Sequence, residues 1–455
     1  MHHSGGSDSG LLVFTRYPQP GSTKTRLIPA LGAAGAAQLQ RRLTEHALGY
    51  VDEYCDAHDC TGLVYVSTEE QADIANWLGP HRLYFDQVGT DLGQRLIAAF
   101  EHAFSRGLKR CVVIGIDCPT LTPEVLGKAF RELSRRDVVI APASDGGYML
   151  LGMRSEAWPR LKTVVFSTIT WGTETVLTET LGQLSRVNVD PILLPEHQDI
   201  DVAADLAIWE AARTANPMSG ADAKISVIIP CLNEEEHILA TLAAVRTGVN
   251  VQIVVVDGGS EDKTCDVVRS EDVILVEGVR GRGAQLNAGA DHADGDILLF
   301  LHADTRVPLG FDTWIRRVMS EGRCRAGAFQ LSIDGESRAL RRVEWLTALR
   351  CRWFRLPYGD QGIFFQKAFF EELGGFPQQP LMEDFSLVRD AKRRAGFEML
   401  PVSVVTSARR WEKLDAFRTT VLNQWIILAY WLGVPPERLA KWYRNAGRSR
   451  RKSSR

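Results

Sequence analysis

The chain has 455 residues, 45% of them hydrophobic and 24% charged, with a net charge of −3. That length exceeds one ordinary domain, and the composition is that of soluble globular protein. The near-neutral balance leaves no overall pull toward nucleic acid. It is uneven, however: from Arg409 to Arg455 there are twelve Lys and Arg against three Asp and Glu, a local excess of +9. Such an end either solubilises a tail or draws the chain to an anionic membrane or substrate. The eight cysteines form no C-x-x-C, and several sit in apolar runs such as "RCVVIG", which predicts reduced core thiols in a cytoplasmic protein.

Residues 1–10, "MHHSGGSDSG", lack an apolar signal core and are expected to be disordered. The run "LLVFT" then predicts a strand, followed by "PQPGSTKTRL". A Lys-Thr pair after a strand suggests a P-loop, but that motif needs Gly where Thr23 and Pro18 stand. Lys24 and Arg26 still form a basic pair after a strand. Further strands are predicted at "GLVYVS", "CVVIGID" and "DVVIAPA", with helices over Ala33–Tyr54 and Leu92–Phe104 between them. Asp117 ends one strand, Asp145 opens the loop "SDGGY", and Asp199 and Asp201 stand two apart in "HQDIDVA". These acids suit a cation site, although "DID" before a helix also serves as a cap.

"ANPMSGADAK" reads as a linker, giving domains at 11–214 and 224–440, a linker over 215–223 and a basic tail over 441–455. The second half repeats the layout, with strands at "ISVIIP", "QIVVVD", "VILVEG", "DILLFLHAD", "AGAFQLSI" and "QGIFFQ" and helices over Glu235–Val245 and Ala284–Ala293. Apolar β-branched runs alternating with helices predict two α/β domains, each a mostly parallel sheet covered on both faces. In such sheets ligands sit beyond the carboxyl ends of the strands. Asp257 ends "VVVD", where a carboxylate can accept from a uracil imide or ribose hydroxyls. If the strand "DILLFLHAD" runs to its end, His302 and Asp304 share one face, placed to hold Mg²⁺ or Mn²⁺ on a diphosphate. Arg282 and Asn287 in "RGRGAQLNAGA" stand near that charge. Leu286 replaces the third Gly of a dinucleotide fingerprint, which disfavours a nicotinamide oxidoreductase. Glu383 and Asp384 open a helix after Pro380, where a carboxylate can take a proton from an attacking hydroxyl. Asp360 and Gln361 in "YGDQGIFF" could contact the acceptor. "WIILAYWL" is too short to span a bilayer, so it is a buried or surface-lying helix.

The order and spacing of "ISVIIPCLNEEEHI", "VVVDGGSEDKT", "RGRGAQLNAGA", "FLHADT", "GGFP" and "LMEDFSLVRDAKRRAG", over about 224–410, resemble a family 2 glycosyltransferase of the GT-A fold. The resemblance implies inverting transfer from a nucleotide-diphosphate sugar to a small-molecule or lipid acceptor, with no nucleic-acid partner. It implies that Pro230, Asn233, Glu234 and Asp257 line the nucleoside site, that Asp304 is the metal-binding Asp, and that Asp384 is the base. His302 departs from the D-x-D pattern, and "ARRWEK" matches the R-W element of processive members only in part. Residues 11–211 resemble a DUF2064-like, glycosyltransferase-like family related in fold to the nucleotidyltransferases and associated with arsenosugar and selenium biosynthesis. That likeness implies that Lys24 and Arg26 hold phosphates and Asp117 a metal. The first domain is then a transferase or a nucleotide-binding scaffold. The chain is expected to be cytoplasmic, and its basic end implies peripheral contact at the inner membrane face.

Overall fold

The computed structural model describes residues 7–67, 71–166, 168–215, 223–320, 322, 324–335, 337–354, 356–409, 425–426, 429–430, 432 and 434–448. The chain divides into two compact units, 1–218 and 219–455. Most of the segment read as linker, most of "ARRWEK" and residues 449–455 of the basic tail lie outside the described residues, as do residues 1–6.

The first unit carries strands β1 (Ser9–Thr15), β2 (Cys60–Val66), β3 (Leu83–Asp86), β4 (Arg110–Gly115), β5 (Val138–Pro142), β6 (Tyr148–Arg154) and β7 (Ile192–Leu193). They form one sheet in the order β3-β2-β1-β4-β6-β5-β7. β6 is antiparallel to both neighbours, and the other pairings are parallel. β1 begins at Ser9, inside the stretch expected to be disordered, because Ser9 and Gly10 pair with both β2 and β4.

The second unit carries β8 (Ile225–Cys231), β9 (Val251–Asp257), β10 (Ile274–Val276), β11 (Ile297–Phe300), β12 (Thr305–Arg306), β13 (Ala326–Asp334), β14 (Ile363–Gln366) and β15 (Phe397–Ser407). Their order is β10-β9-β8-β11-β14-β13-β15-β12. With β12 set aside as an added edge, the two sheets match strand for strand, including the antiparallel β14. The duplicated layout therefore extends to topology.

The runs that predicted strands do so because β-branched and aromatic side chains fill both faces of a covered sheet. Leu12, Val113, Ile140 and Leu151 pack with Phe100 and Trp158 in the first unit. Val227, Ile229, Val255, Leu299 and Phe364 do so in the second. Each fully buried side chain of this kind contributes roughly 1.5–3 kcal/mol. In both sheets the chain runs outward one way (β1-β2-β3, β8-β9-β10) and then resumes on the other side at β4 or β11. The crevice beyond the carboxyl ends of β1 and β4, and of β8 and β11, is the place such sheets offer a ligand. Among the described residues no helix is long and apolar enough to cross a membrane.

Candidate active site

The second unit's crevice starts at the end of β9. Asp257 is buried, and its Oδ2 accepts from the backbone N–H groups of Gly259 (2.7 Å) and Ser260 (2.9 Å). Its Oδ1 accepts from the Ser260 hydroxyl at 2.5 Å. Burial pushes this carboxyl up, but the hydrogen bonds from Ser260 and Gly259 outweigh it and hold the group below the usual carboxylate range. The turn is tied to the one after β8: Asn233 N–H donates to Ser260 Oγ (2.9 Å), and Asn233 Oδ1 accepts from Glu261 N–H (2.8 Å). Asn233 takes a left-handed backbone, φ 56°, which Asn tolerates better than most residues. Gln285, on the helix Arg282–Asp291, donates to Cys231 O (3.0 Å) and Val256 O (2.8 Å), clamping the strand ends side by side.

Beyond β11 stands a small pocket lined by Arg282, His302, Gly359 and Asp384 over the apolar floor of Leu286, Phe300 and Phe376. Arg282 opens its helix, hydrogen-bonds His302 Nε2, and lies 3.4 Å from the Glu383 carboxylate through Nε. Glu383 and Asp384 start the helix Glu383–Arg394. Glu383 is buried, and desolvation raises its pKa against the lowering influence of Arg282, while the adjacent Asp384 charge raises it further. Asp384 Oδ2 accepts from Gly359 N–H at 2.7 Å, and Oδ1 from Phe385 N–H at 2.7 Å. The base candidate therefore has fixed direction at the pocket wall. A Cβ on Gly359 would stand 2.1 Å from Arg282 Nη2 and 2.9 Å from Asp384 Oδ2, so any larger residue there would displace the Arg282 side chain.

Three expectations are corrected. β11 stops at Phe300, so His302 and Asp304 do not share a strand face. Residues 301–304 turn instead toward β12, which pairs with β15. His302 presents Nε2 to Arg282, so that lone pair is not directed to a cation. Asn287 exchanges two hydrogen bonds with the backbone of Phe376, both 2.8 Å, and thus holds the "GGFP" loop rather than a donor. Gln361 is fully buried: its Nε2 donates to Phe329 O (3.0 Å), and its Oε1 accepts from Arg350 (3.0 Å) and Tyr358 N–H (3.2 Å), leaving nothing for an acceptor. Asp360 is half-buried beside it.

Asp304 lies where the β12–β15 pairing brings in Arg409. Arg409 Nη2 is 3.7 Å from Asp304 Oδ2 and forks onto Glu234 at 2.7 and 2.9 Å. The Glu234 pairing raises the Arg409 pKa. This guanidinium between Glu234 and Asp304, the residues expected at the nucleoside and at the metal, was not singled out from sequence, because only the β15 pairing places it there. No three His, Cys, Asp or Glu side chains converge as a metal cage among the described residues. A single, partly exposed carboxylate such as Asp304 still fits a hard divalent cation whose other ligands are diphosphate oxygens and water.

In the first unit, all five expected residues line one cleft of about 1970 Å³, open mouth included, beyond the ends of β1 and β4: Lys24, Arg26, Asp117, Asp145 and Asp201. Lys24 departs from its expected role. Its side chain is 6% exposed, with Nζ 2.9 Å from Asp117 Oδ1, 3.7 Å from Asp201 Oδ1 and 2.5 Å from Ile200 O. It neutralises carboxylates rather than offering a free charge. Arg26 pairs with Asp201 at 2.6 Å but is 71% exposed. Burial, then the neighbouring Asp145, raises the Asp199 pKa. Asp145 Oδ1 accepts from Gly147 N–H (2.9 Å) across a turn in which Gly146 has φ +87°; there a Cβ would strike Glu174 O at 2.0 Å. Arg16 and Arg95 also line the cleft and were missed. Arg16 follows the first strand directly, a position the strand-end rule picks out.

Residues 50–173 match the family model "Uncharacterized protein conserved in bacteria (DUF2064)", and residues 226–360 match "Glycosyl transferase family 2". A glycosyltransferase of Mycobacterium tuberculosis (strain ATCC 25618 / H37Rv), itself uncharacterized, is 37% identical over 87 residues, 19% of this chain and 39% of its own length. The undecaprenyl-phosphate 4-deoxy-4-formamido-L-arabinose transferase of Aeromonas hydrophila is 32% identical over 107 residues, 20% of this chain and 32% of its own. The chain thus spans less than half the length of these relatives. A crystal structure described as a nucleotide-diphospho-sugar transferase of Desulfovibrio desulfuricans G20 is 31% identical, covering 47% of this chain and 90% of that one, with a TM-score of 0.44. The chain thus carries a DUF2064 match within its first unit and a glycosyl transferase family 2 match within its second.

Proposed function

We propose that the second unit transfers a sugar from a nucleotide-diphosphate donor to an acceptor, with inversion. The observation that carries this reading is the meeting of Asp384, Arg282 and Glu383 around Gly359, one crevice away from the Asp257 turn. Asp257, with Pro230, Asn233 and Glu234 beside it, takes the nucleoside. Arg282 and Arg409 face the diphosphate and oppose the charge that grows as it leaves. Asp304 would hold Mg²⁺ or Mn²⁺, which supplies further positive charge to the diphosphate oxygens. Asp384, its carboxylate held by Gly359 N–H, takes the proton of the acceptor as that oxygen attacks the anomeric carbon from the face opposite the diphosphate. Glu383 keeps Arg282 aimed into the pocket.

The similarity to a transferase named for undecaprenyl phosphate supports a lipid-borne acceptor over a freely diffusing one. The eight free cysteines suit the cytoplasmic side of that membrane. The arsenosugar association of the first family adds a candidate sugar class and no residue to the mechanism. The first unit is proposed as a related nucleotide-sugar or sugar-phosphate transferase working in the Asp117–Asp201 cleft. A scaffold is the second reading, favoured by the way Lys24 occupies those carboxylates.

Asp384→Asn tests the base. Nucleoside-diphosphate release in the presence of acceptor should fall by about 10²–10⁴-fold while donor affinity holds. Turnover near the parent's would remove Asp384 from the role. For the first unit, release of pyrophosphate from a sugar 1-phosphate and a nucleoside triphosphate, lost in Asp117→Ala, distinguishes enzyme from scaffold.

A further inference from the structure

The helix Arg338–Phe354 runs 17 residues, about 25 Å, and is amphipathic in an unusual sense. Its inward face is apolar, with Leu340, Val343, Thr347 and Cys351 all buried. Its outward face is not simply polar. Trp345 is 64% exposed, Leu346 45% and Leu349 39%, and Arg338, Arg342 and Arg352 stand among them. Arg338, Arg342, Trp345, Leu349 and Arg352 follow at steps of four, three, four and three, so they lie along one stripe. No acid breaks it: Glu344, the helix's one carboxylate, is turned inward onto Ser332, Ile333 N–H and Arg341.

We propose that this face docks the chain on an anionic lipid surface. Exposed Trp and Leu cost free energy in water and gain it at the level of lipid headgroups, where an indole has both apolar and polar surroundings. Arginines interleaved with them match anionic headgroups in charge. More exposed tryptophan lies on segments packed next to the C-terminal end of this helix. Ile426 and Leu439, on helical segments whose Trp425 (64%) and Trp442 (51%) are exposed, pack with Leu356 and Tyr358 just after it. The docking face also reaches the reaction pocket through the chain. Arg350 hydrogen-bonds Leu356 O and Gln361 and covers the Tyr358 ring, fixing the loop whose Gly359 holds Asp384. A membrane-borne acceptor would so meet the base at the headgroup level. The docking itself does not depend on the transfer reaction, and its test uses no turnover.

The full chain is sedimented with vesicles of phosphatidylcholine alone and of phosphatidylcholine with phosphatidylglycerol. Binding is expected to the mixed vesicles and to weaken as salt rises. Trp345→Glu with Leu349→Glu should lower that affinity at least about tenfold, and Arg338→Ala with Arg342→Ala and Arg352→Ala should lower it on anionic vesicles only. All five positions are exposed, so circular dichroism and Tm should match the parent. Alanine at Arg450, Arg451, Lys452 and Arg455 should leave most of the binding. The proposal is overturned if the parent ignores anionic vesicles, or if binding follows the tail variant and not the helix variants. It is equally overturned if the parent is a dimer that Trp345→Glu with Leu349→Glu makes monomeric while vesicle binding is absent.

Discussion

Gly359→Ala is the smallest change that reaches the proposed chemistry. The added Cβ would lie 2.1 Å from Arg282 Nη2 and 2.9 Å from Asp384 Oδ2. Arg282 must retreat by about 1 Å or more to reach an ordinary contact, and it has room to do so because its side chain is 38% exposed. Moving it breaks its hydrogen bond to His302 and its approach to Glu383, and crowds the carboxylate oxygen that Gly359 N–H holds. Displacing a catalytic group by about 1 Å costs on the order of 10²-fold in rate, or ~2.7 kcal/mol of transition-state stabilisation. The fold should survive, since the obstructed atoms end a flexible side chain. The assay is nucleoside-diphosphate release from the donor with acceptor present, alongside Tm. A drop of about 100-fold in kcat with Tm almost unchanged is expected. Turnover within about threefold of the parent would show that neither Arg282 nor Asp384 is placed by this loop.

Two further predictions concern stability. Gln361→Leu strips partners from Phe329 O, Arg350 and Tyr358 N–H in a buried place, and should cost about 1–3 kcal/mol in urea unfolding of the second unit; a neutral result would show that the amide is replaceable by packing. In the first unit His46 is buried against Tyr50 and Trp209 and bonded to Pro119 O, and desolvation lowers its pKa from the usual 6.5. Its neutral form is favoured in the fold, so its contribution is present above pH ~6.5 and is lost as pH falls through the lowered value. His46→Gln should therefore flatten the fall of Tm between neutral and mildly acidic pH, and parallel curves for parent and variant would contradict that assignment.

What the sequence made legible follows from local physics. Strands buried on both faces announce themselves as β-branched runs, and Asp117 and Asp257 stand at their carboxyl ends because that is where such sheets present polar groups. β6 was harder. "YMLLGMR" is apolar like its neighbours, and nothing local says that it inserts antiparallel between β4 and β5. Asn287 and Gln361 look like polar residues awaiting a ligand until their backbone partners, 89 and 32 residues away, are in place. Arg409 shows the reverse: an ordinary basic residue in sequence, it comes between Glu234 and Asp304 only through the pairing of β12 with β15. Lys24 was read by its charge alone, and the carboxylates that absorb that charge come from 93 and 177 residues further on.

The proposal that the second unit holds a nucleotide sugar between the Asp257 turn and Asp304 is tested most directly by ligand-dependent unfolding. Parent, Asp257→Asn and Asp304→Asn are each melted with a panel of nucleotide sugars in Mg²⁺ or Mn²⁺. A ligand at 100 times its Kd adds about 2.7 kcal/mol to the state that binds it. One donor should raise the parent's Tm, Asp257→Asn should weaken the shift, and Asp304→Asn should remove its dependence on the cation. A parent that no nucleotide sugar stabilises, or variants that respond as the parent does, would contradict the proposal.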